Sequence, residues 1–249
     1  MIDGCPTHAM VLAAGLGLRM RPITENLPKP LVPLGGRTLL DRALDHLEAA
    51  KVESVTVNLH YLGHMIKNHL ATRTNPRIEF SDETAQLLET GGGVTRALSS
   101  LGENPFYVAN ADIAWEDGPE PALTRLTRFW RDEAMDALLL LYPVSQATGY
   151  DGAGDYCLAS NGVLKRPRGN PKAPFVFAGV QLLHPRLFKN APSGPFSLTH
   201  LYDTAEGAGR LYGIVHDGTW HHIGTPTGFA EAEVLFRKSR AFDEEAYGE

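Results

Sequence analysis

The sequence predicts a mixed α/β fold, with a mostly parallel, Rossmann-like sheet flanked by helices on both faces. Through the first half of the chain, short apolar runs alternate with segments whose apolar residues recur at helical spacing. This alternation is typical of β-α-β units built around a parallel sheet. From Gly149 to Gly218 the chain is richer in glycine, proline and short β-like runs, which predicts a more β-rich C-terminal subregion.

The predicted strands are short runs of apolar or alternating residues. The run FYVA at 106–109 is apolar and β-rich, so it is expected to be a central strand. The run at 54–59 alternates, as a strand with two different faces does. In chain order the predicted strands cover residues 9–14, 54–59, 77–81, 106–109 and 137–144.

The predicted helices follow from apolar periodicity and start signals. Thr38 is placed to cap a helix over 39–50, and Thr225 followed by Pro226 begins a last helix that continues past Arg237. The remaining helices are expected over 62–70, 91–101 and 122–130, with the glycines at 91–93 opening the second of these.

Length, charge and cysteine content limit the class of protein. The 249 residues can bury a large core without disulfides or metal. The net charge of -6 argues against a general nucleic-acid binder, and Cys5 and Cys157 make no disulfide framework. No run reaches the roughly 18 apolar residues of a membrane span, and none resembles a signal peptide. We therefore expect a cytoplasmic protein with neither nucleic acid nor membrane as a partner.

A glycine-containing loop follows the first predicted strand. Gly15 and Gly17 allow backbone N–H groups to approach an anion, and Arg19 and Arg21 add positive charge for phosphate. Met20 stands where the dinucleotide fingerprint requires a third glycine, and the Gly-Lys-Ser/Thr of the phosphate loop is absent. The segment is either a phosphate-binding loop or a tight turn.

Lys29 lies between two prolines, which stiffen the backbone and hold its ammonium group in place. The alternative is an ordinary exposed loop lysine. The segment 88–93, LETGGG, has three glycines that allow close backbone contact with a planar ligand, and the N-terminus of the following helix attracts negative charge. The alternative is a flexible helix start.

Asp112 ends an Asn-Ala-Asp sequence directly after the FYVA strand. A carboxylate at the carboxyl end of a strand can hold Mg²⁺ together with substrate phosphates. The alternative is a turn cap.

In this order, the four segments resemble those of the sugar-1-phosphate nucleotidyltransferases. That family has a Leu-Ala-Ala-Gly loop ending in Arg-Met, a Pro-Lys-Pro, a glycine-rich base-binding segment, an Asn-Gly/Ala-Asp metal motif and a closing Trp-x-Asp-x-Gly-Thr-Pro. The resemblance extends roughly from Val11 to Ala232. The LETGGG segment and Phe-Ala-Gly at 177–179 resemble in particular the short bacterial enzymes that make UDP-N-acetylmuramic acid from N-acetylmuramate 1-phosphate. A mannose-1-phosphate guanylyltransferase-like enzyme, using GTP, stays open as an alternative.

The resemblance implies a reaction and a set of substrates. An oxygen of the sugar 1-phosphate attacks the α-phosphorus of a nucleoside triphosphate, UTP being favoured, and pyrophosphate leaves. The product is a nucleotide sugar for recycling cell-wall precursors. The resemblance further implies a single domain over 1–249, with a nucleotide-binding part at about 9–145 and a sugar-binding part at about 146–240.

The resemblance also implies the roles of individual residues. Arg19, Lys29 and Asp112 are expected to carry catalysis. The sugar site is expected to include Gly154, Asp155, Arg166 and Gly179. The nucleotide is expected to contact, besides Arg19 and Lys29, the residues Leu12, Ala13, Ala14, Gly15, Gly17, Glu89, Thr90, Gly91, Gly92 and Asn110.

One residue departs from the family pattern. His222 stands where members usually have a second metal-binding aspartate, and imidazole is a softer ligand than carboxylate. The metal set that the resemblance implies is Asp112 and His222, holding Mg²⁺, or Mn²⁺ or another divalent ion. Alternatively, Asp112 and the phosphates hold Mg²⁺ alone, or the chain binds nucleotide sugars without catalysis.

Two further hypotheses have weaker support. A structural zinc site at His216, His221 and His222 is one of them, but their spacing matches no standard zinc motif, and adjacent histidines in a strand point to opposite faces. A nicotinamide-dependent oxidoreductase rests only on Gly15-x-Gly17, and Met20 counts against it.

Overall fold

The computed structural model describes residues 5–169 and 172–247. Its helices are α1 (Leu39–Ala49), α2 (Gly63–Leu70), α3 (Glu89–Leu101), α4 (Ala122–Phe129), α5 (Leu198–Gly207) and α6 (Pro226–Tyr247). Its strands are β1 (His8–Leu12), β2 (Pro33–Leu34), β3 (Arg37–Thr38), β4 (Ser54–Leu59), β5 (Arg77–Asp82), β6 (Phe106–Asn110), β7 (Ile113–Glu116), β8 (Ala137–Pro143), β9 (Cys157–Leu158), β10 (Leu164–Lys165), β11 (Phe175–Leu183), β12 (Leu211–Val215) and β13 (Thr219–His222).

The described residues form a central sheet of seven strands, in the order β12-β8-β11-β6-β1-β4-β5. β1 is parallel to both β4 and β6, β4 is parallel to β5, and β12 is parallel to β8. β11 runs antiparallel between β6 and β8. The prediction of a mixed, mostly parallel α/β sheet is confirmed, and the FYVA strand is central as expected.

Helices cover both faces of the sheet, and the residues of β1 show how. Ala9 and Val11 belong to an apolar cluster that includes residues of α1, α2 and α4. Met10, between them, belongs to a second cluster with residues of α3 and α5. Successive strand residues point to opposite faces, so a strand buried on both sides needs apolar residues throughout. Such runs are what made the strands recognisable in the sequence.

The predicted helix starts at Thr38 and Thr225 are confirmed. The Thr38 hydroxyl oxygen accepts a hydrogen bond from the Asp41 N–H at 3.0 Å. The Thr225 hydroxyl oxygen accepts one from the Gly228 N–H at 3.1 Å, directly before α6. Each satisfies a backbone donor that the first helical turn leaves free.

Several boundaries differ from the prediction by one or two residues, and three of the differences are informative. β1 ends at Leu12 rather than at residue 14, because the Ala13 N–H donates to the Asn58 side chain instead of to a neighbouring strand. α3 begins at Glu89, so the glycines at 91–93 lie inside its first two turns rather than at its start. α4 ends at Phe129, and Trp130 follows it in an extended conformation while its side chain stays buried.

The second half contributes more regular structure than its composition suggested. β11 and β12 join the central sheet, while β13 pairs with β7. α5 was not predicted, because glycine and proline on either side obscured its short apolar pattern. Among the helices that the structure describes, none is long and apolar enough to cross a membrane.

Candidate active site

A pocket of about 370 Å³ opens beside the carboxyl ends of β1 and β6. Ligands in open α/β sheets bind at this edge. The structure brings seven of the predicted site residues into its wall: Leu12, Ala13, Gly15, Gly17, Arg19, Lys29 and Asp112. Four more lining residues were not predicted to have a role: Leu18, Met20, Pro30 and Gly224.

Gly15 and Gly17 of the loop after β1 are glycines for different reasons. Gly17 has a φ of +64°, and a Cβ there would lie 3.3 Å from side-chain atoms of Lys29 and Thr24, so the fold itself requires glycine. Gly15 has no such backbone conformation, and within the described part of the chain no atom lies within 4 Å of a Cβ built on it. Its missing side chain leaves free space beside the pocket.

Ala13 and Ala14 of the same loop are both buried. The Ala13 N–H donates to Asn58 Oδ1 at 2.7 Å, so this amide does not face the pocket that Ala13 lines. Arg19 lies in a short 3₁₀ turn, Leu18–Met20, which the Gly17 carbonyl caps by accepting the Met20 N–H at 3.0 Å.

Lys29 is buried, with 7 % of its surface exposed, and is therefore not an ordinary loop lysine. Its ammonium group donates to Asp112 Oδ2 at 2.9 Å. The Asp112 side chain is 44 % exposed and lines the same pocket. A buried cation needs an anionic partner, and this pairing fixes both charges at the pocket wall.

Backbone pairing places Asp112 beside the glycine loop. Asn110 at the end of β6 pairs with Leu12 at the end of β1, and the Ala111 N–H donates to the Leu12 carbonyl at 3.0 Å. On the other side of β6, a Cβ on Gly179 would lie 3.1 Å from Asn110 Nδ2. With its φ of +81°, Gly179 thus lets β11 pass close to this motif.

His222 lies next to Asp112 in the fold. It pairs across β13 and β7 with Ile113, and a Cβ built on the pocket residue Gly224 would meet His222 Nε2 at 2.1 Å. Burial, and then the positive charges of Lys29 and Arg19, lower the pKa of His222, against the opposing effect of Asp112. The imidazole is therefore neutral at neutral pH, with a nitrogen lone pair available.

The other histidines of this region face elsewhere. The His221 ring packs against Phe236, with ring centroids 5.1 Å apart, on the opposite face of β13, as the strand geometry predicted. His216 Nε2 bonds backbone carbonyls. Over residues 5–169 and 172–247, no group of three or more His, Cys, Asp or Glu is arranged to hold a metal ion.

The glycines of the LETGGG segment pack against the loop before α5. The N–H groups of Gly91 and Gly92 both donate to the Phe196 carbonyl, at 2.8 and 3.1 Å. A Cβ on Gly91 would lie 2.3 Å from the Phe196 ring. These glycines are buried, so the segment is not a flexible helix start. Glu89 to Gly92 do not line the 370 Å³ pocket.

Gly154, Asp155 and Gly179 lie along or within β11, Arg166 lies between Tyr156 and α5, and all four predicted sugar residues are outside that pocket. A Cβ on Gly154 would lie 2.3 Å from the Ala173 carbonyl oxygen, and Asp155 Oδ2 accepts the Phe177 N–H at 2.8 Å. Arg166 donates to the Tyr156 hydroxyl at 3.4 Å. Its Nε lies 3.4 Å from Oδ1 of Asp203 in α5. The Tyr150 hydroxyl accepts the Gly154 N–H, and the Tyr150 ring packs edge-on against His222.

Two buried polar residues had no place in the sequence-based prediction. Asn58 and Glu83 are 2 % and 1 % exposed and are hydrogen-bonded to each other. Asn58 could have been noticed as an amide in the otherwise buried strand β4. Glu83 carries no comparable signal, because it follows the exposed end of β5.

This pocket joins a glycine loop, an arginine and a lysine–aspartate pair at the carboxyl ends of parallel strands, an arrangement whose charge and backbone geometry suit a phosphorylated ligand. Comparison with known proteins gives the family. The profile of the nucleotidyl transferase family matches residues 8–153. N-acetylmuramate alpha-1-phosphate uridylyltransferase of Caulobacter vibrioides is 41 % identical over 92 % of this chain and 96 % of that protein.

Further relatives agree. The enzyme of the same name from Neisseria meningitidis serogroup B is 32 % identical over 91 % of this chain and 97 % of that protein. The structure of a UDP-glucose pyrophosphorylase complexed with UDP-glucose shares the fold, with a TM-score of 0.76 and 19 % identity, over 94 % of this chain and 99 % of that one. The chain belongs to the nucleotidyl transferase family. It is an enzyme, a nucleotidyltransferase.

Proposed function

We propose that the enzyme transfers a uridylyl group from UTP to N-acetylmuramate 1-phosphate, releasing pyrophosphate and forming a nucleotide sugar for cell-wall precursor recycling. The observation that carries the proposal is the Lys29–Asp112 pair facing the glycine loop across one pocket. The names of the relatives from Caulobacter and Neisseria support the choice of substrates.

The pocket supplies position and charge rather than a nucleophile. The loop at Gly15 and Gly17 receives the triphosphate, and Arg19 neutralises the β- and γ-phosphates as pyrophosphate leaves. Lys29 lies beside the α-phosphate, where negative charge accumulates as the sugar-phosphate oxygen attacks in line. Because the acceptor itself attacks, no covalent enzyme intermediate is required, and preorganised charge lowers the barrier.

The residues present fit a divalent cation. Asp112 presents a partly exposed carboxylate to the pocket, and His222 presents a neutral imidazole beside it. Asp112 and His222 would hold Mg²⁺, Mn²⁺ or a similar ion, which neutralises phosphate charge when bound. Imidazole suits Mn²⁺ better than Mg²⁺, so His222 favours a softer ion than a second aspartate would.

The remaining assignments extend outward from this centre. Glu89, Thr90, Gly91 and Gly92, with Asn110, form the base and ribose side of the site. Gly154, Asp155 and Gly179 form the sugar side, and Arg166 supplies positive charge for the sugar phosphate. The close approach of Gly179 to Asn110 and the contacts of Tyr150 with both Gly154 and His222 support this arrangement, because they connect the sugar side to residues next to the pocket.

A substrate matrix tests the proposal. UTP, GTP, CTP, ATP and dTTP are each combined with N-acetylmuramate 1-phosphate, N-acetylglucosamine 1-phosphate and mannose 1-phosphate, under Mg²⁺ and under Mn²⁺, with pyrophosphate release as the readout. We expect the highest kcat/KM for UTP with N-acetylmuramate 1-phosphate. Preference for GTP with mannose 1-phosphate would replace the proposed substrates. Nucleotide binding without turnover of any pair would contradict the proposed reaction.

A further inference from the structure

A series of three hydrogen bonds, two of them buried and the third partly buried, connects the two segments assigned to the nucleotide. The Ala13 N–H donates to Asn58 Oδ1 at 2.7 Å, and Asn58 Nδ2 donates to Glu83 Oε1 at 2.8 Å. The other carboxylate oxygen, Glu83 Oε2, accepts the Leu88 N–H at 3.0 Å. The connection thus runs from the glycine loop after β1 to the start of the LETGGG segment.

Because both side chains are buried, breaking this connection has a large cost in free energy. Asn58 is 2 % and Glu83 1 % exposed, and a buried polar group that loses its partner keeps its full desolvation cost. The same pair also explains why residue 93 is a glycine. A Cβ on Gly93 would lie 2.8 Å from Glu83 Oε1 and 3.1 Å from Asn58 Nδ2, so the third glycine of the segment makes room for the two side chains.

We propose that Asn58 and Glu83 are positioning residues that set the glycine loop and the LETGGG segment at the separation one nucleoside triphosphate requires. This rests on the proposed function, in which the loop at Gly15 receives the triphosphate and the segment at Thr90 contacts the base. Ala13 lies two residues before Gly15, and Leu88 lies two residues before Thr90. The connection therefore governs affinity for the nucleotide and leaves affinity for the sugar phosphate unchanged.

The bonding pattern allows an exchange of the two side-chain types. In Asn58→Asp the nitrogen that donates to Glu83 becomes an oxygen, so two carboxylate oxygens face each other in a buried site and repel. In Glu83→Gln one of the two acceptors becomes a donor, so either the bond from Asn58 or the bond from Leu88 is lost. In the double variant the new amide donates to the new carboxylate, and all three hydrogen bonds between the glycine loop and the LETGGG segment are restored.

The experiment measures UTP binding by calorimetry at a temperature where circular dichroism shows each variant to be folded. Each single variant should bind UTP at least about 10-fold more weakly, equivalent to about 1.4 kcal/mol, because the two segments are no longer held at their separation, and the double variant should recover to within about 3-fold of wild type. KM for the sugar phosphate should stay constant throughout. Thr56→Val is the matched control: Thr56 is buried two residues earlier in β4, and among the described residues its hydroxyl has no hydrogen-bond partner.

The proposal is overturned if the single variants bind UTP as wild type does, as a purely structural pair would allow. It is also overturned if the double variant binds no better than the weaker single variant, or fails to fold. If Asn58→Asp alone does not fold, Glu83→Gln and the double variant still decide the question. A wild-type protein that binds UTP but never turns over contradicts only the proposed reaction, and the same binding measurements then still test the positioning pair.

Discussion

Lys29 and Asp112 show how a single residue pair fixes two opposite charges at the wall of a pocket. A lysine with 7 % of its surface exposed is uncommon, and this one is stabilised by a carboxylate that still faces the pocket. The two prolines around Lys29 limit the backbone conformations, which keeps the ammonium group in place before substrate arrives. Preorganised charge of this kind stabilises a transition state without reorganisation during the reaction.

Lys29→Ala should lower kcat/KM by ~30- to 1,000-fold, because a preorganised charge contact contributes about 2–4 kcal/mol to transition-state stabilisation. The measurement is steady-state pyrophosphate release with UTP. Lys67→Ala is the control, since Lys67 is 46 % exposed and forms a surface pair with Asp82. Equal rates for wild type and Lys29→Ala would remove Lys29 from the proposed mechanism.

Gly15→Ala should weaken UTP binding while leaving the melting temperature unchanged. A methyl group at this position meets no described atom within 4 Å, so the folded protein accepts it, but it projects into space beside the pocket. Differential scanning calorimetry and UTP titration separate the two effects. Gly207→Ala, at the exposed end of α5 and equally free of contacts, is the matched control and should alter neither binding nor turnover. Unchanged UTP affinity in Gly15→Ala would mean that the triphosphate does not approach this loop.

His222→Asp should raise the ratio of Mg²⁺-supported to Mn²⁺-supported kcat/KM roughly tenfold, equivalent to about 1.4 kcal/mol, because carboxylate oxygen is the harder ligand. Asp112→Asn, by comparison, should abolish metal-dependent activity with either ion. His64→Asp, at an exposed position in α2, controls for the added charge. An unchanged ratio in His222→Asp would show that residue 222 does not hold the metal.

The sequence was sufficient to predict those pocket residues whose type is unusual for their immediate sequence neighbours. Lys29 between prolines, Asp112 after an apolar strand and the glycines after β1 all fall into this group, and the structure brings them into one pocket. Asn58 and Glu83 could not be predicted to act together. They are far apart along the chain, and their contact exists only because β4 and β5 are neighbours in the sheet.

At the scale of elements, the glycines of α3 show that a glycine-rich motif can be required by the packing of the fold. Gly91 and Gly92 lie against the loop before α5, and Gly93 lies against Glu83. The sequence alone suggested close approach to a ligand, because glycine indicates a close approach without indicating to what. For Gly91 and Gly92 the approaching group is the loop before α5, an element that the sequence did not reveal, and for Gly93 it is Glu83, which follows β5.

Gly91→Ala should lower the free energy of unfolding by about 1–3 kcal/mol, the usual cost of forcing a methyl group into a packed site. The new Cβ would lie 2.3 Å from the Phe196 ring and 2.9 Å from the Phe196 carbonyl oxygen, which also accepts the Gly91 N–H. Urea denaturation measures the change, with Gly207→Ala again as the control. A variant as stable as wild type would show that the loop before α5 does not pack against α3.

The fold class was predictable at this scale because the strands of the first half are apolar on both faces and alternate with helices. The antiparallel position of β11 was not predictable. Strand direction depends on where the chain re-enters the sheet, and a bulged strand with glycine at its centre gives little periodic signal. For the same reason, the sequence did not predict how closely Gly179 approaches Asn110.

At the scale of the whole molecule, the charge distribution agrees with a ligand that is small and highly anionic. The chain has a net charge of -6, yet Arg19 and Lys29 line the pocket, and Arg21 lies two residues after Arg19. Positive charge concentrated at one loop attracts a triphosphate, whereas a nucleic acid requires it spread over a face. The second half of the chain also contributes to this region, since β13 pairs His222 with Ile113, the residue after Asp112.

Isotope tracing tests most directly whether this pocket joins a nucleotidyl group to a sugar phosphate. N-acetylmuramate 1-phosphate labelled with ¹⁸O in its terminal phosphate oxygens is incubated with UTP and the enzyme, and the products are analysed by mass spectrometry. If the sugar-phosphate oxygen attacks the α-phosphorus, the nucleotide sugar retains all of the label and the pyrophosphate contains none. Label in the pyrophosphate, or the absence of any labelled nucleotide sugar, would contradict the proposed reaction.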